Sequence, residues 1–336
     1  MSTTQMRAVL VSQPGDSSQL QLGEVPRPAP SPTEILVKIK AIGVNRMDIE
    51  QREGRYPVPA GVSSILGVEM AGVIEALGSK VTGFKISDRV FGLLYGGAYA
   101  EYCVIDQMAT MLIPPAMSFE TAAAIPENCY TAWQSIESVA NLQRGHDILI
   151  HAGASGVSTV GIQIAKFIGA KRIFTTAGSD KKLEHCRKLG ATHTINYRTE
   201  DFAEVNEIHR ETEGRGVDVI IDYIGADYWN RNMASLTVDG HMVMLAFLSG
   251  AQVSEANIAP ILFKRLNIHG STLRSRTLAY QRQLKQATES NILPRVTNQQ
   301  FVICIDRVFP WEEVAQAHEY MEANHNLGKI ILKVED

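Results

Sequence analysis

Along the first third of the chain, apolar positions alternate with polar ones or gather in short blocks. Met6 to Val11, Ile35 to Ala41, Ala71 to Ala76, Arg89 to Leu93 and Ala100 to Ile105 predict strands, parted by turn-rich stretches such as Pro26 to Glu34. Near Cys129 the period changes. A helix is expected from Tyr130 to Ala140, a strand at Ile148 to Ile150, and a helix in which Val157, Val160, Gly161, Ile164 and Ile168 recur at helical spacing. Strands follow at Arg172 to Thr176, Thr194 to Asn196, Val217 to Asp222 and Met242 to Phe247. Apolar strands alternating with helices predict an α/β, doubly wound parallel sheet. The pattern ends near Ser271 to Arg274. A helix from Leu278 to Glu289, a strand Phe301 to Ile305, a helix Trp311 to Glu322 and a strand Gly328 to Val334 remain. These are too few for a third core, so the expected division is 1–127 with 275–336 as one domain and 128–274 inserted as the other. The 336 residues suffice for two cores.

Within the inserted domain, His146 to Lys182 joins strand, glycine turn, helix and second strand in one unit. The small residues Gly153-Ala154-Ser155-Gly156-Val157 let backbone N–H groups approach a pyrophosphate at a helix N-terminus. Serines stand where G-x-G-x-x-G has its second and third glycines, so the sequence context, rather than the glycines alone, carries the reading. An NAD site places Asp or Glu at the end of the second strand to hold the ribose 2′-hydroxyl. Here that turn reads Ala177-Gly178-Ser179, without a carboxylate. Ser179 is able to donate to a 2′-phosphate and Lys182 to neutralise it, which favours NADPH. Asp180 is expected to cap a helix starting at Lys181. Gly225, following the strand Val217 to Asp222, falls where parallel sheets gather ligands.

Composition narrows the class. Hydrophobic residues at 45% and charged residues at 20% suit a globular protein, and a net charge of −4 gives no general attraction to nucleic acid. Cys103, Cys129, Cys186 and Cys304 are widely spaced, which predicts reduced thiols rather than a disulfide frame or zinc ribbon. The N-terminus lacks the pattern of a signal peptide and no apolar run has membrane-spanning length, so a cytoplasmic protein without membrane association is expected. The nine histidines show no metal-ligand spacing, and His151, just after an apolar strand, reads as a packed histidine. Ser155 lacks a triad context. Glu127 reads either as an acid or base or, equally well, as a carboxylate favoured by a helix N-terminus.

Several segments together resemble the medium-chain dehydrogenase/reductase superfamily and, within it, the zinc-free quinone oxidoreductases, nearest to those of animals induced by a tumour-suppressor protein. They are Gly43 to Gly61, Ile65 to Gly72, Ala122 to Trp133, Leu149 to Val157, Thr175 to Leu183, Thr272 to Arg276 and Tyr320 to Leu332. The resemblance implies a GroES-like, partly open β-barrel domain beside a Rossmann domain, with NADPH in the cleft between them. The zinc-dependent relatives place Cys and His where this chain has Asn45 and Val68, and a further Cys near Glu127; the cysteine-rich structural-zinc loop is missing. The resemblance therefore implies no metal.

The same resemblance assigns the nicotinamide end to Asn45, Tyr56, Thr131, Phe247 and Leu248, with Ser271 and Leu273 beside it. Of these, Tyr56 is the candidate to hydrogen-bond the acceptor oxygen and Asn45 to position cofactor or substrate. The pyrophosphate and ribose end falls to Ser155, Gly156, Val157, Gly178, Ser179, Lys182 and Tyr197, with Asn324 in a segment that closes over the cofactor; Arg198 reads equally as a helper there or as a solvated surface charge. The implied activity is metal-free hydride transfer from NADPH to an electron-poor quinone or enone, with the protein supplying position and exclusion. The alternatives are reduction of an enoyl thioester, or an NADPH-binding, even RNA-binding, protein of slight turnover. A homodimer through the edge of the nucleotide sheet, at Met242 to Phe247 or Asn267 to Gly270, is expected by fold analogy.

Overall fold

The computed structural model describes residues 4–202 and 208–335. They separate into two units, one running to Tyr130 and resuming at Arg274, the other Thr131–Leu273.

In the first unit, β1 (Gln5–Val11) and β2 (Leu20–Pro26) form an antiparallel pair. They precede β3 (Glu34–Val44), β4 (Glu69–Leu77), β5 (Arg89–Leu93), β6 (Tyr102–Asp106) and β7 (Thr110–Leu112). The second unit carries β8 (Asp147–Ile150), β9 (Arg172–Ala177), β10 (His193–Asn196), β11 (Val217–Asp222), β12 (Leu236–Met244) and β13 (Asn267–Gly270). The chain then returns to the first unit with β14 (Ile305–Pro310) and β15 (Lys329–Lys333).

β3 organises the first unit because eight of its eleven residues are uncharged and buried. One edge pairs antiparallel with β4; the other is divided between β6, along Glu34 to Lys38, and β15, along Ala41 to Val44. The sheet order is β14-β15-β3-β4-β5-β7. Val9, Ile39, Ile42, Leu66, Met70, Trp311 and Leu332 are among its core residues. Register then sets chemistry. Ile330 pairs with Val44 and Met70 with Ile42, so the next residues out, Lys329 and Glu69, arrive beside the Gly43–Asn45 end of β3.

The second unit is a six-stranded parallel sheet of order β10-β9-β8-β11-β12-β13. The helix Gly156–Ile168 buries an unbroken run from Ser158 to Ala165 and ends at Gly169. Leu149, Phe174, Ile195, Ile220, Leu236 and Met242 fill the core.

Several boundaries differ from the sequence expectations. The expected helix at Tyr130 begins at Pro126, whose missing N–H costs nothing in a first turn, and passes into a π-helical stretch, Gln134–Val139. The expected strand Phe301 to Ile305 is displaced to Ile305–Pro310, because the pairing along β15 runs from Ile305 opposite Lys329 to Pro310 opposite Lys333. The short helix Arg46–Arg52 and strands β2 and β7 were not signalled by periodicity. Met242 to Phe247 is not a free edge: β12 is bonded to β11 on one side and β13 on the other, leaving β13 outermost. Among the described residues no helix is long and apolar enough to cross a membrane.

Candidate cofactor and active site

In the second unit, β8 runs into the turn that starts the helix Gly156–Ile168. Ser155 is the N-cap, its Oγ accepting from the Ser158 amide at 3.2 Å. Gly156 and Val157 open the first turn, whose N–H groups have no partner within the helix and suit an anion. Behind this turn His151 is fully buried between Phe202 and Tyr228, with Nε2 2.8 Å from Asn232 Oδ1 and Nδ1 3.0 Å from Thr176 Oγ1. Burial lowers its pKa to about 4, so the ring is neutral and structural, as its sequence position suggests.

β9 delivers Gly178, Ser179 and Lys182 to one end of the sheet, and β10 delivers Tyr197 and Arg198 to the same place. A Cβ on Gly178 would lie 2.6 Å from the Tyr197 hydroxyl and 3.2 Å from Arg198 Nε, so only glycine lets those side chains close over it. The helix cap is Ser179, not Asp180. Ser179 has extended backbone and its Oγ accepts from the Lys182 amide at 3.4 Å, while Asp180 already lies within the first turn. Asp180 Oδ1 accepts from Asn196 Nδ2 at 3.4 Å. As an acceptor from an amide, the Ser179 hydroxyl keeps its own proton to donate. Ser179, Tyr197 and Arg198 gather about Gly178, with Lys182 in the first turn of the following helix and no carboxylate on the strand end, a donor set that fits a 2′-phosphate.

At the ends of β11 and β12 the chain turns tightly. Asp222 accepts from the amides of Ile224 at 2.8 Å and Gly225 at 3.2 Å, and burial pushes its carboxyl up to about 6 against those bonds. Gly225 has φ +87°, and the segment Phe247–Gly250 packs on it, with Leu248 N donating to Tyr223 O at 3.0 Å. Phe247 and Leu248 are about half exposed, an apolar surface suited to a nicotinamide ring. Ser271 continues from β13, its amide bonded to Met244 O at 3.0 Å and its Oγ to Gln134 Nε2. Thr131 and Leu273 are buried at the two ends of this unit.

In the first unit, strand register assembles a buried polar cluster. Lys329 Nζ donates to Asn45 Oδ1 at 2.6 Å and pairs with Glu69 Oε1, which also accepts from Asn45 Nδ2 at 3.0 Å. Glu69 Oε2 accepts from the Glu127 amide at 2.8 Å, in the first turn of the helix Pro126–Trp133. Lys329 is 3% exposed and Glu69 is not exposed at all. Asn45 also caps the helix Arg46–Arg52, with its amide donating to Asp48 Oδ2 at 2.8 Å. The Asn45 side chain is therefore committed at both ends of its amide. Burial pushes the Asp48 carboxyl up to about 6, and Tyr99 donates to it at 3.3 Å.

An amide, an aliphatic Val68 and an ammonium paired to the nearest carboxylate do not make a zinc donor set. Among the described residues no group of three or more His, Cys, Asp or Glu stands where it could hold a metal ion. Cys129 is fully buried, and burial raises its thiol further from ionisation.

Tyr56 lies partly buried near this cluster, its ring centroid 5.7 Å from the Arg274 guanidinium carbon. Burial first and Glu127 second raise its pKa, so its hydroxyl stays protonated and able to donate. Asn324 adopts φ +54° after the helix Val314–Glu322, and its Oδ1 accepts from Arg46 Nη2 at 2.7 Å. Glu69, Lys329, Asp48 and Arg274 were not singled out from the sequence. Their signal is a charged residue bordering an apolar run, as in Gly328-Lys329-Ile330-Ile331-Leu332, which becomes informative only once the register is known.

Family comparison gives matches in both units: an alcohol dehydrogenase GroES-like domain over residues 31–115 and a zinc-binding dehydrogenase domain over residues 156–289. The human synaptic vesicle membrane protein VAT-1 homolog is 30% identical, over 94% of this chain and 83% of its own length. A quinone oxidoreductase of Pseudomonas syringae superposes with a TM-score of 0.85 at 31% identity, covering 98% of this chain and 99% of that one. A mycobacterial protein solved in complex with NADPH does so with a TM-score of 0.86 at 27% identity, covering 98% and 99%.

Proposed function

This chain belongs to the medium-chain dehydrogenase/reductase superfamily, and on that premise we propose that it is a metal-independent, NADPH-dependent reductase of electron-poor quinones or enones. It is an oxidoreductase of that superfamily with an NAD(P)-binding second unit. The observation that carries the finer reading is the buried Lys329–Glu69–Asn45 cluster, whose donors suit a fixed internal ammonium rather than a Lewis-acid ion. An acceptor reduced there must need no metal polarisation, and a quinone or conjugated enone qualifies because it delocalises the incoming charge.

When bound, the cofactor supplies a hydride, two electrons and one hydrogen. The acceptor needs one further proton. Tyr56, protonated and with no hydrogen-bond partner assigned to its hydroxyl among the described residues, is the group we assign to deliver it. The preference for NADPH rests on Ser179, Lys182, Tyr197 and Arg198 around Gly178. The motifs quoted above support a place near the tumour-suppressor-inducible quinone oxidoreductases, and the outermost strand β13 supports self-association.

The test is NADPH oxidation, followed by absorbance, by chelator-treated protein with ortho- and para-quinones and medium-chain enoyl thioesters, and with NADH in parallel. Quinone turnover with NADPH, indifferent to chelator, is expected. Turnover of thioesters alone would replace the substrate class, and NADPH binding without turnover of any acceptor would overturn the reading.

A further inference from the structure

Arg274 is 4% exposed, yet among the described residues its guanidinium forms no salt bridge, and the Asp48 and Glu127 carboxylates act on it only from longer range. Nε donates to the Tyr95 carbonyl at 2.5 Å and Nη1 to Gln51 Oε1 at 2.6 Å, both neutral acceptors. Nη2 is buried without a hydrogen-bond partner, beside Gly96, where a Cβ would come within 3.0 Å of it. The guanidinium is held rigidly. Tyr95 returns a hydrogen bond from its hydroxyl to Arg276 O at 3.0 Å, and Gln51 is anchored by Nε2 to Ser64 O at 3.1 Å. Burying a cation against neutral groups is costly, and an orphaned guanidinium nitrogen adds to that cost. Such an arrangement is explained if a negative charge forms nearby during function. Tyr56 is a group able to form one, and the guanidinium lies over its ring, 5.7 Å from the centroid.

We infer that Arg274 is a positioning residue for proton donation by Tyr56, its buried charge, held in no salt bridge, stabilising the tyrosinate that donation leaves behind. This rests on the reading of Tyr56 as the donor. The acceptor gains hydride and is left with an oxyanion; the Tyr56 O–H bond breaks, its proton joins that oxygen, and solvent later reprotonates Tyr56. Glu127, Glu50 and Asp48 all oppose a negative charge on Tyr56, and Arg274 is the cation that acts against them. Without Arg274, the donor would face three carboxylates unaided.

The experiment uses the full chain with Arg274→Gln, Arg274→Lys, Tyr56→Phe and the double variant Arg274→Gln/Tyr56→Phe. Ionisation of Tyr56 is read as the tyrosinate absorbance lost when Tyr56→Phe is introduced into each background. Turnover is read as the pH profile of kcat/KM, alongside NADPH affinity. We expect Arg274→Gln to move Tyr56 ionisation to higher pH and to lower kcat/KM about 10- to 100-fold with NADPH affinity unchanged. Arg274→Lys should restore most of the rate, and Arg274→Gln should cost nothing further once Tyr56 is Phe. Slow Tyr56→Phe with Tyr56 ionisation unmoved in Arg274→Gln overturns the role of Arg274 alone. Undiminished turnover in Tyr56→Phe overturns the donor reading and this inference with it. If no acceptor is turned over by any variant, ionisation of Tyr56 that stays put in Arg274→Gln still overturns the coupling.

Discussion

Replacing Lys329 by methionine tests whether the buried cluster is an obligate charge pair. The ammonium is 3% exposed and Glu69 fully buried, so the substitution leaves a carboxylate with only the Asn45 amide and the Glu127 N–H to satisfy it. Removing one partner of a buried ion pair costs about 3–5 kcal/mol, mostly the penalty of the charge left behind. The carboxylate already packs directly on Gly43 of β3, where an added Cβ would lie 2.2 Å from Glu69 Oε1. At about 2–4 °C per kcal/mol for a domain of this size, the expected fall in Tm is about 10 °C. Equilibrium urea unfolding measures the loss, with an unchanged m-value confirming that the unfolded reference is the same. The double variant Lys329→Met/Glu69→Gln removes the stranded charge and should recover about 1–2 kcal/mol, though a glutamine offers one acceptor where two donors now point. A single-variant loss below about 1 kcal/mol, or a double variant no more stable than the single, would refute the reasoning.

Lys182→Ala should weaken NADPH binding at least tenfold more than NADH binding in a fluorescence titration; equal losses would show that Lys182 does not serve the 2′-phosphate. Gly178→Val should abolish NADPH binding while leaving the second unit folded by circular dichroism, because the added side chain displaces Tyr197 and Arg198. His151 titrates at about 4 when folded and near 6.5 when unfolded, so as pH falls through this window the unfolded state takes up the proton first and stability is lost. His151→Gln escapes that term, and its deficit against wild type should shrink by about 3 kcal/mol between pH 6.5 and pH 4 in urea titrations; a constant deficit would mean that the ring is not held neutral. Sedimentation should show a dimer that a proline at Ile268 in β13 splits into monomers, and a wild-type monomer would end the expectation of edge pairing.

The nucleotide unit was legible because local rules act there. Strand, turn and helix from His146 to Lys182 are contiguous, their period is set by one-sided burial, and the glycine turn needs no distant residue to be recognised. Lys182 and Ser179 could be placed at a strand end for the same reason. The cap is Ser179 rather than the expected Asp180: Ser and Asp are both good caps, and only the extended backbone at Ser179 distinguishes them. Tertiary structure decided the rest. Lys329 meets Asn45 across 284 residues of sequence because β15 pairs with β3, and Glu69 joins them because β4 pairs with its other edge. Arg274 reaches Gln51 and Tyr95 across 223 and 179 residues. Periodicity determines which face of an element is buried, but register and long-range pairing determine which charges share that interior, and no local pattern encodes them.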